Sequence, residues 1–199
     1  MRRRIAITGG IGSGKSSVLQ YIQTLGYPVF SCDETYKQVI QSPEYIQKIS
    51  EVFPSAVENG QINRKQLASI VFECDEMRKK LNEIAHPLIM SRLYAEMDKT
   101  QQEFVFAEVP LFFEGEYENS FDAVIVVERT EEARIRSVCA RDGVSIQEAQ
   151  NRIRAQYRFY EWLQKEKVIP TFTIENDVDY DALKIATQET VQAIVKHFS

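Results

Sequence analysis

"RIAITGGIGSGKSSVLQYIQTLG", residues 4–26, carries three local signals in a row. "RIAIT" is a short apolar run rich in β-branched residues, and Val18, Leu19, Ile22 and Leu25 recur at helical spacing before Gly26 stops the helix. Between the two lies Gly9-x-x-x-x-Gly14-Lys15-Ser16. Glycines permit positive φ and close backbone approach, so successive N–H groups can curl around a phosphate, and a helix start adds free amides and a positive dipole end. A strand before this spacing and a helix after it mark a nucleoside-triphosphate cradle. On that reading the loop holds a nucleoside triphosphate, ATP or GTP. The Lys15 ammonium reaches the β and γ phosphates, the Ser16 hydroxyl ligates Mg2+, and Ser17 assists near the α phosphate.

The same strand-helix logic extends outward. Residues 27–33, 103–110, 121–128 and 171–176 read as further strands, the middle two apolar enough for burial on both faces of a parallel sheet. Residues 34–100 read as almost wholly helical, with breaks at Pro43, "FPSAVENGQ" and Pro87 and a cap at Asn63. "TEEARIRSVCARDG" and "SIQEAQNRIRAQYRFYEWLQKEK" read as a helical hairpin whose second arm opens with a Ser145–Glu148 capping box, and an amphipathic helix closes the chain. The expected fold class is α/β: a doubly wound parallel five-stranded sheet with a helical insertion and a helical lid. The core is residues 1–33, 101–130 and 168–199, the insertion 34–100 and the lid 131–167.

Composition narrows the function. The 199 residues are 44% hydrophobic, with no run of eighteen apolar residues and no signal-peptide pattern, so a soluble cytoplasmic protein without a membrane partner is expected. Cys32, Cys74 and Cys139 are scattered and odd in number, which suggests free thiols, and His86 and His197 have no neighbours at metal-ligand spacing. A net charge of −5 argues against a nucleic-acid partner while permitting a local basic pocket for a small anion.

Neither Asp-x-x-Gly after a later strand nor Asn-Lys-x-Asp occurs, which disfavours a GTPase. Asp33, at the carboxyl end of the second strand, reads as the base that orients an attacking hydroxyl, or else as the N-cap of the helix that follows. Glu108, ending the third strand, reads as a carboxylate near Mg2+ or as a structural acceptor. Arg134, Arg136, Arg141, Arg152, Arg154 and Arg158 read as a lid that brings guanidinium groups onto the transferring phosphoryl, with Arg141 foremost, or as a solvated face.

Taken in order, "ITGGIGSGKSSV", Asp33, "GQINRKQLASIVF", "LNEIAHPLI", "EVPLFFE" and "RIRSVCARDGVSIQEAQNRIRAQ" closely resemble dephospho-coenzyme A kinase over nearly the whole chain. The resemblance implies a P-loop kinase of the nucleoside-monophosphate-kinase type that transfers the ATP γ-phosphoryl to the ribose 3′-hydroxyl of dephospho-CoA. It implies ATP and Mg2+ as cofactors, a dephospho-CoA-binding insertion, and a monomer or weak homo-oligomer. By position, Gly12, Ser13, Gly14, Lys15, Ser16 and Ser17 hold ATP, Asp33 activates the hydroxyl and Arg141 closes from the lid. Arg64 and His86 fall in matching motifs of the insertion, where His86 is either a substrate contact or a structural histidine. Departures from the family pattern are Cys32-Asp33-Glu34 for Asp-Ala-Asp, Ser17 for Thr, Asn63 for an acid and Glu108 for Asp. A kinase for another nucleoside or nucleotide, or a non-catalytic nucleotide sensor, would share the loop.

Overall fold

The computed structural model describes residues 2–156 and 169–199. Its central sheet has the order β2-β5-β1-β6-β7, formed by β1 (Arg3–Thr8), β2 (Val29–Ser31), β5 (Phe104–Glu108), β6 (Ala123–Glu128) and β7 (Thr171–Glu175). Strand β1 is central and parallel to both neighbours, with Ile5 opposite Phe106 on one side and Ala123 on the other, and Ile7 opposite Glu108 and Ile125. Every residue of β5 is buried, as is all of β6 except Glu128. Such strands lie covered on both faces, as the apolar runs predict.

Side-chain alternation sends Ile5, Ile7, Phe106, Ile125, Val127 and Ile174 to one face. There they pack on Val18, Leu19 and Ile22 of α1 (Lys15–Thr24) and on Leu183, Val191 and Ile194 of the closing helix α8 (Tyr180–Phe198). The outgoing connection of β1 runs to one side of the sheet and that of β6 to the other. In open α/β sheets the crevice at the carboxyl ends of two such strands is where ligands bind.

Two compact units are present, one made of Met1–Phe30 with Thr100–Ser199 and one of Ser31–Lys99. The second holds α2 (Cys32–Val39), α3 (Pro43–Val52), α4 (Arg64–Glu73) and α5 (Asp75–Asp98) around Ile40, Tyr45, Ile49, Phe53 and Leu67. Asn63 caps α4 as expected, its side chain accepting from Gln66 N at 3.2 Å. "FPSAVENGQ" is more than a break, for with Ile62 it forms a small hairpin of β3 (Val57–Glu58) and β4 (Gln61–Ile62) turning on Asn59 and Gly60, both at positive φ. Asn-Gly is the turn chemistry such a hairpin favours.

Two expectations are corrected. The second strand stops at Ser31, and Asp33 lies in the first turn of α2; the cap is Ser31, whose hydroxyl accepts from Asp33 N at 3.2 Å. Pro87 does not break its helix, since α5 runs unbroken through it. Ala85, Met90, Leu93 and Met97 are buried on either side, and that apolar burial outweighs the lost N–H at a single position. In the hairpin of the first unit, α6 (Glu131–Asp142) and α7 (Ile146–Arg154) follow β6, and the Ser145–Glu148 capping box is present. The rest of the expected second arm, with Arg158, lies outside the described residues.

An interior proline costs about 3 kcal/mol relative to alanine in a helix. Pro87→Ala is therefore expected to raise stability by about 1–3 kcal/mol, read as a higher urea midpoint with an unchanged slope.

Candidate active site

The glycine loop opens α1 without a side-chain cap: Gly14 occupies the N-cap position at φ 101°, ψ 17°. The first amides of α1 thus carry the positive end of the helix dipole with no side-chain acceptor capping them. Gly12, at φ 78°, lies so close to the start of α6 that an added Cβ would stand 2.7 Å from the Arg134 carbonyl oxygen. Lys15 is 9% exposed, and its ammonium donates to the carbonyls of Gly9 (3.0 Å) and Gly10 (3.1 Å). Ser13 is buried with its hydroxyl unpartnered among the described residues. Ser17 lies in the first turn, its N–H donating to Gly14 O at 3.0 Å.

At the carboxyl end of β5 the buried Glu108 carboxylate accepts from the Ser16 hydroxyl at 3.2 Å. Strand register produces this pair, because Glu108 stands opposite Ile7 at the point where β1 enters the loop. The predicted nucleotide and magnesium residues are thereby brought together in one unit.

The predicted residues Asp33, Arg64 and His86 belong to the helical unit. Asp33 is exposed in the first turn of α2, one turn before Tyr36. Arg64 opens α4 and, with Tyr36, Ile40, Tyr45, Leu67 and Val71, lines a cavity of about 740 Å³. Tyr45 in its wall is 1% exposed, and burial, with the nearby Tyr36 phenol, pushes its ionisation well above the usual phenol range. His86 is half-buried in α5, and burial pulls its proton affinity below that of an ordinary imidazole.

The arginines divide. Arg141 is exposed at the end of α6 with its guanidinium on Asp142, Nε to Oδ1 at 2.7 Å and Nη2 to Oδ2 at 2.9 Å, and Arg152 of α7 joins the same carboxylate at 2.7 Å. Arg141, by its hydrogen bond, holds the Asp142 carboxyl below the usual range. Arg136 and Arg154 are exposed. Arg134 departs from the lid reading: it is 2% exposed, and its Nε donates to the Ile11 carbonyl at 2.9 Å.

Three further side chains touch the loop and were missed from the sequence. Asn176, directly after β7, donates from Nδ2 to Ser13 O at 2.7 Å; it was visible only as a polar residue at the ligand-bearing edge of the sheet. Arg129, directly after β6, donates to Ser137 Oγ at 2.7 Å and reaches Gly12 O at 3.5 Å. Gln156, past the end of α7, accepts from Ile11 N at 2.6 Å.

Comparison with known proteins places these features in a lineage. The sequence model of the dephospho-CoA kinase family matches residues 3–181. A dephospho-CoA kinase of Thermus thermophilus is 37% identical over 152 residues, 76% of this chain and 74% of the relative. The crystal structure of TT1252 from Thermus thermophilus superposes with a TM-score of 0.81 at 31% identity, covering 100% of this chain and 98% of that one. Dephospho-CoA kinase from Campylobacter jejuni gives a TM-score of 0.71 at 29% identity, with 100% of both chains covered.

The fit of Gly12 against α6 yields a direct test. An L-residue forced into the left-handed region costs about 1–2 kcal/mol before any clash is counted. Gly12→Ala is expected to weaken binding of a non-hydrolysable ATP analogue by at least about tenfold, with an unchanged far-UV circular dichroism spectrum; undiminished affinity would show that the loop does not need this close approach.

Proposed function

The chain belongs to the dephospho-CoA kinase family, and from that premise we propose how its own residues perform the transfer. The enzyme moves the γ-phosphoryl of ATP to the ribose 3′-hydroxyl of dephospho-CoA, giving coenzyme A and ADP in the final step of coenzyme A biosynthesis.

The observation that carries the assignment of roles is the uncapped start of α1 behind a loop bearing the buried Lys15 ammonium. Residues Gly12 to Ser17 hold the triphosphate, and Lys15 exchanges the Gly9 and Gly10 carbonyls for β- and γ-phosphate oxygens. Asp33 orients the 3′-hydroxyl and accepts its proton as the oxygen attacks the γ phosphorus and the bond to the ADP oxygen breaks. Its exposure at the start of a helix, with Ser31 already serving as cap, leaves the carboxylate available for that task.

The Ser16 hydroxyl and the Glu108 carboxylate fit magnesium, two hard oxygens 3.2 Å apart. Magnesium commonly takes one or two protein oxygens, keeps several waters and binds phosphates, and no group of three or more His, Cys, Asp or Glu suited to a metal occurs among the described residues. When bound, the ion neutralises charge on the β and γ phosphate oxygens.

Residues 34–100 receive dephospho-CoA, with Arg64 and His86 as contacts. The cavity, whose wall joins Ile40, Leu67 and Val71 to polar Gln41, Gln61 and Arg64, supports this reading, since the pantetheine arm alternates methylene and gem-dimethyl groups with amides and the diphosphate is anionic. Residues 131–167 act as a lid anchored at the start of α6, where Arg134 holds the Ile11 carbonyl, and from its outer part Arg141 meets the transferring group. The family reaction uses intracellular metabolites, and the three cysteines are free thiols, which supports a cytoplasmic location.

Purified protein supplied with ATP, magnesium and dephospho-CoA is expected to form coenzyme A and ADP. Asp33→Asn should reduce turnover by about 10²–10⁴ and spare ATP affinity, whereas Lys15→Ala should lower both. Equal loss of ATP binding in the Asp33 variant would reassign that residue to the nucleotide.

A further inference from the structure

Arg134 and Asn176 are two buried polar side chains to which the transfer itself gives no role, and both hold the glycine loop from behind. Arg134 is 2% exposed and bonds the Ile11 carbonyl at 2.9 Å; Asn176 is 7% exposed and bonds the Ser13 carbonyl at 2.7 Å. Across a planar trans peptide the C=O and the following N–H point in opposite directions. Fixing the Ile11 carbonyl therefore turns the Gly12 N–H away from Arg134, and fixing the Ser13 carbonyl turns the Gly14 N–H away from Asn176. A donor on the carbonyl also polarises the peptide and strengthens the N–H as a hydrogen-bond donor.

Both side chains occupy space that only glycine leaves open. A Cβ on Gly10 would stand 2.5 Å from Arg134 Nη2, and one on Gly14 would collide with Asn176 Nδ2. Gly10 does not have the positive φ that requires glycine at positions 9, 12 and 14. Its lack of a side chain answers to Arg134 instead.

The two groups are themselves held. Asn176 N donates to Glu128 O at 2.9 Å, and the adjoining Asp177 accepts from Thr130 N at 2.9 Å and from Thr130 Oγ1 at 2.7 Å. Arg134 is fixed in the first turn of α6, its own N–H on Thr130 O at 3.0 Å. The loop after β7 and the start of α6 thus form one tied assembly.

We propose that Arg134 and Asn176 are positioning residues for ATP, acting through the Ile11–Gly12 and Ser13–Gly14 peptides to aim two backbone N–H groups at the phosphates. The inference rests on the reading of residues 12–17 as the ATP cradle, so the unaltered protein is titrated first with a non-hydrolysable ATP analogue; failure to bind overturns that reading, whereas the variants test the positioning role alone.

Asn176→Asp keeps the shape and replaces the donor facing Ser13 O by an acceptor. It is expected to raise the dissociation constant and the KM for ATP by tenfold or more with the KM for dephospho-CoA little changed, and to lower the melting temperature because a buried carboxylate then faces a carbonyl oxygen, so affinities are read well below that melting temperature. Gly10→Ala should weaken ATP binding tenfold or more in the natural background and have little further effect in Arg134→Ala, where the obstructing guanidinium is gone. Arg134→Lys, which keeps the charge without the Nε donor, should restore less than half of the affinity lost in Arg134→Ala. Unchanged ATP affinity in Asn176→Asp, or an equal effect of Gly10→Ala in both backgrounds, overturns the proposal.

Discussion

The peptide groups of a phosphate cradle can offer their N–H groups to an anion only when the carbonyls of the same peptides are accommodated elsewhere, because an oxygen turned toward the anion repels it. In this loop the accommodation is explicit. The Gly9 and Gly10 carbonyls take the Lys15 ammonium, Ile11 takes Arg134, Ser13 takes Asn176, and Gly14 enters the hydrogen bonding of α1 through Ser17 and Val18 N–H. The donors arrive from α1, from α6 after β6 and from the turn after β7, so the loop's geometry depends on strand order. With β6 beside β1 and β7 beyond it, two connections reach the back of a loop that belongs to a third. Placing β6 or β7 elsewhere in the sheet would take Arg134 or Asn176 away from the loop.

The helical unit meets a different constraint. It must leave a space without collapsing, and its core of Tyr45, Ile49, Phe53 and Leu67 does so beside a cavity whose walls include Tyr36 and Arg64. Three local devices fix the frame: the Ser31 cap on α2, the Asn59-Gly60 turn between β3 and β4, and the Asn63 cap on α4. Each ends or starts an element within a few residues of a cavity-lining side chain. Asp33 benefits directly, for an acidic residue in the first turn stabilises α2 through the helix dipole while its side chain stays in solvent.

Much of this was legible in the residues. All five core strands, the α1 start at Lys15 and the caps at Asn63 and Ser145 follow from patterns a few residues long, where local physics and tertiary structure agree. The errors arose where long-range packing overrode a local rule. Pro87 should end a helix, yet buried residues on both sides carry α5 through it. Asn59-Gly60 is a strong hairpin signal, but strands of two residues lack the alternation that would draw attention to it. Asn176 and Arg134 escaped because their partners are main-chain carbonyls 163 and 123 residues away, and a carbonyl has no sequence signature.

The arginine-rich hairpin shows why spacing alone assigns roles poorly. Six arginines in a short acidic-protein segment invite one explanation, and the structure gives at least two. Arg134 is spent inside the protein, on a peptide carbonyl, where burial works against its charge and nearby Glu131 works for it. Arg141 and Arg152 are instead paired with Asp142 in solvent. Exposed pairs of that kind contribute little to stability, so exchanging the Asp142 carboxylate for a phosphate oxygen costs little. A triphosphate also carries more charge than one carboxylate and offers several acceptors to a planar guanidinium. On the proposed lid role, the Asp142 pair holds the Arg141 guanidinium in a defined place with little energetic penalty to its release.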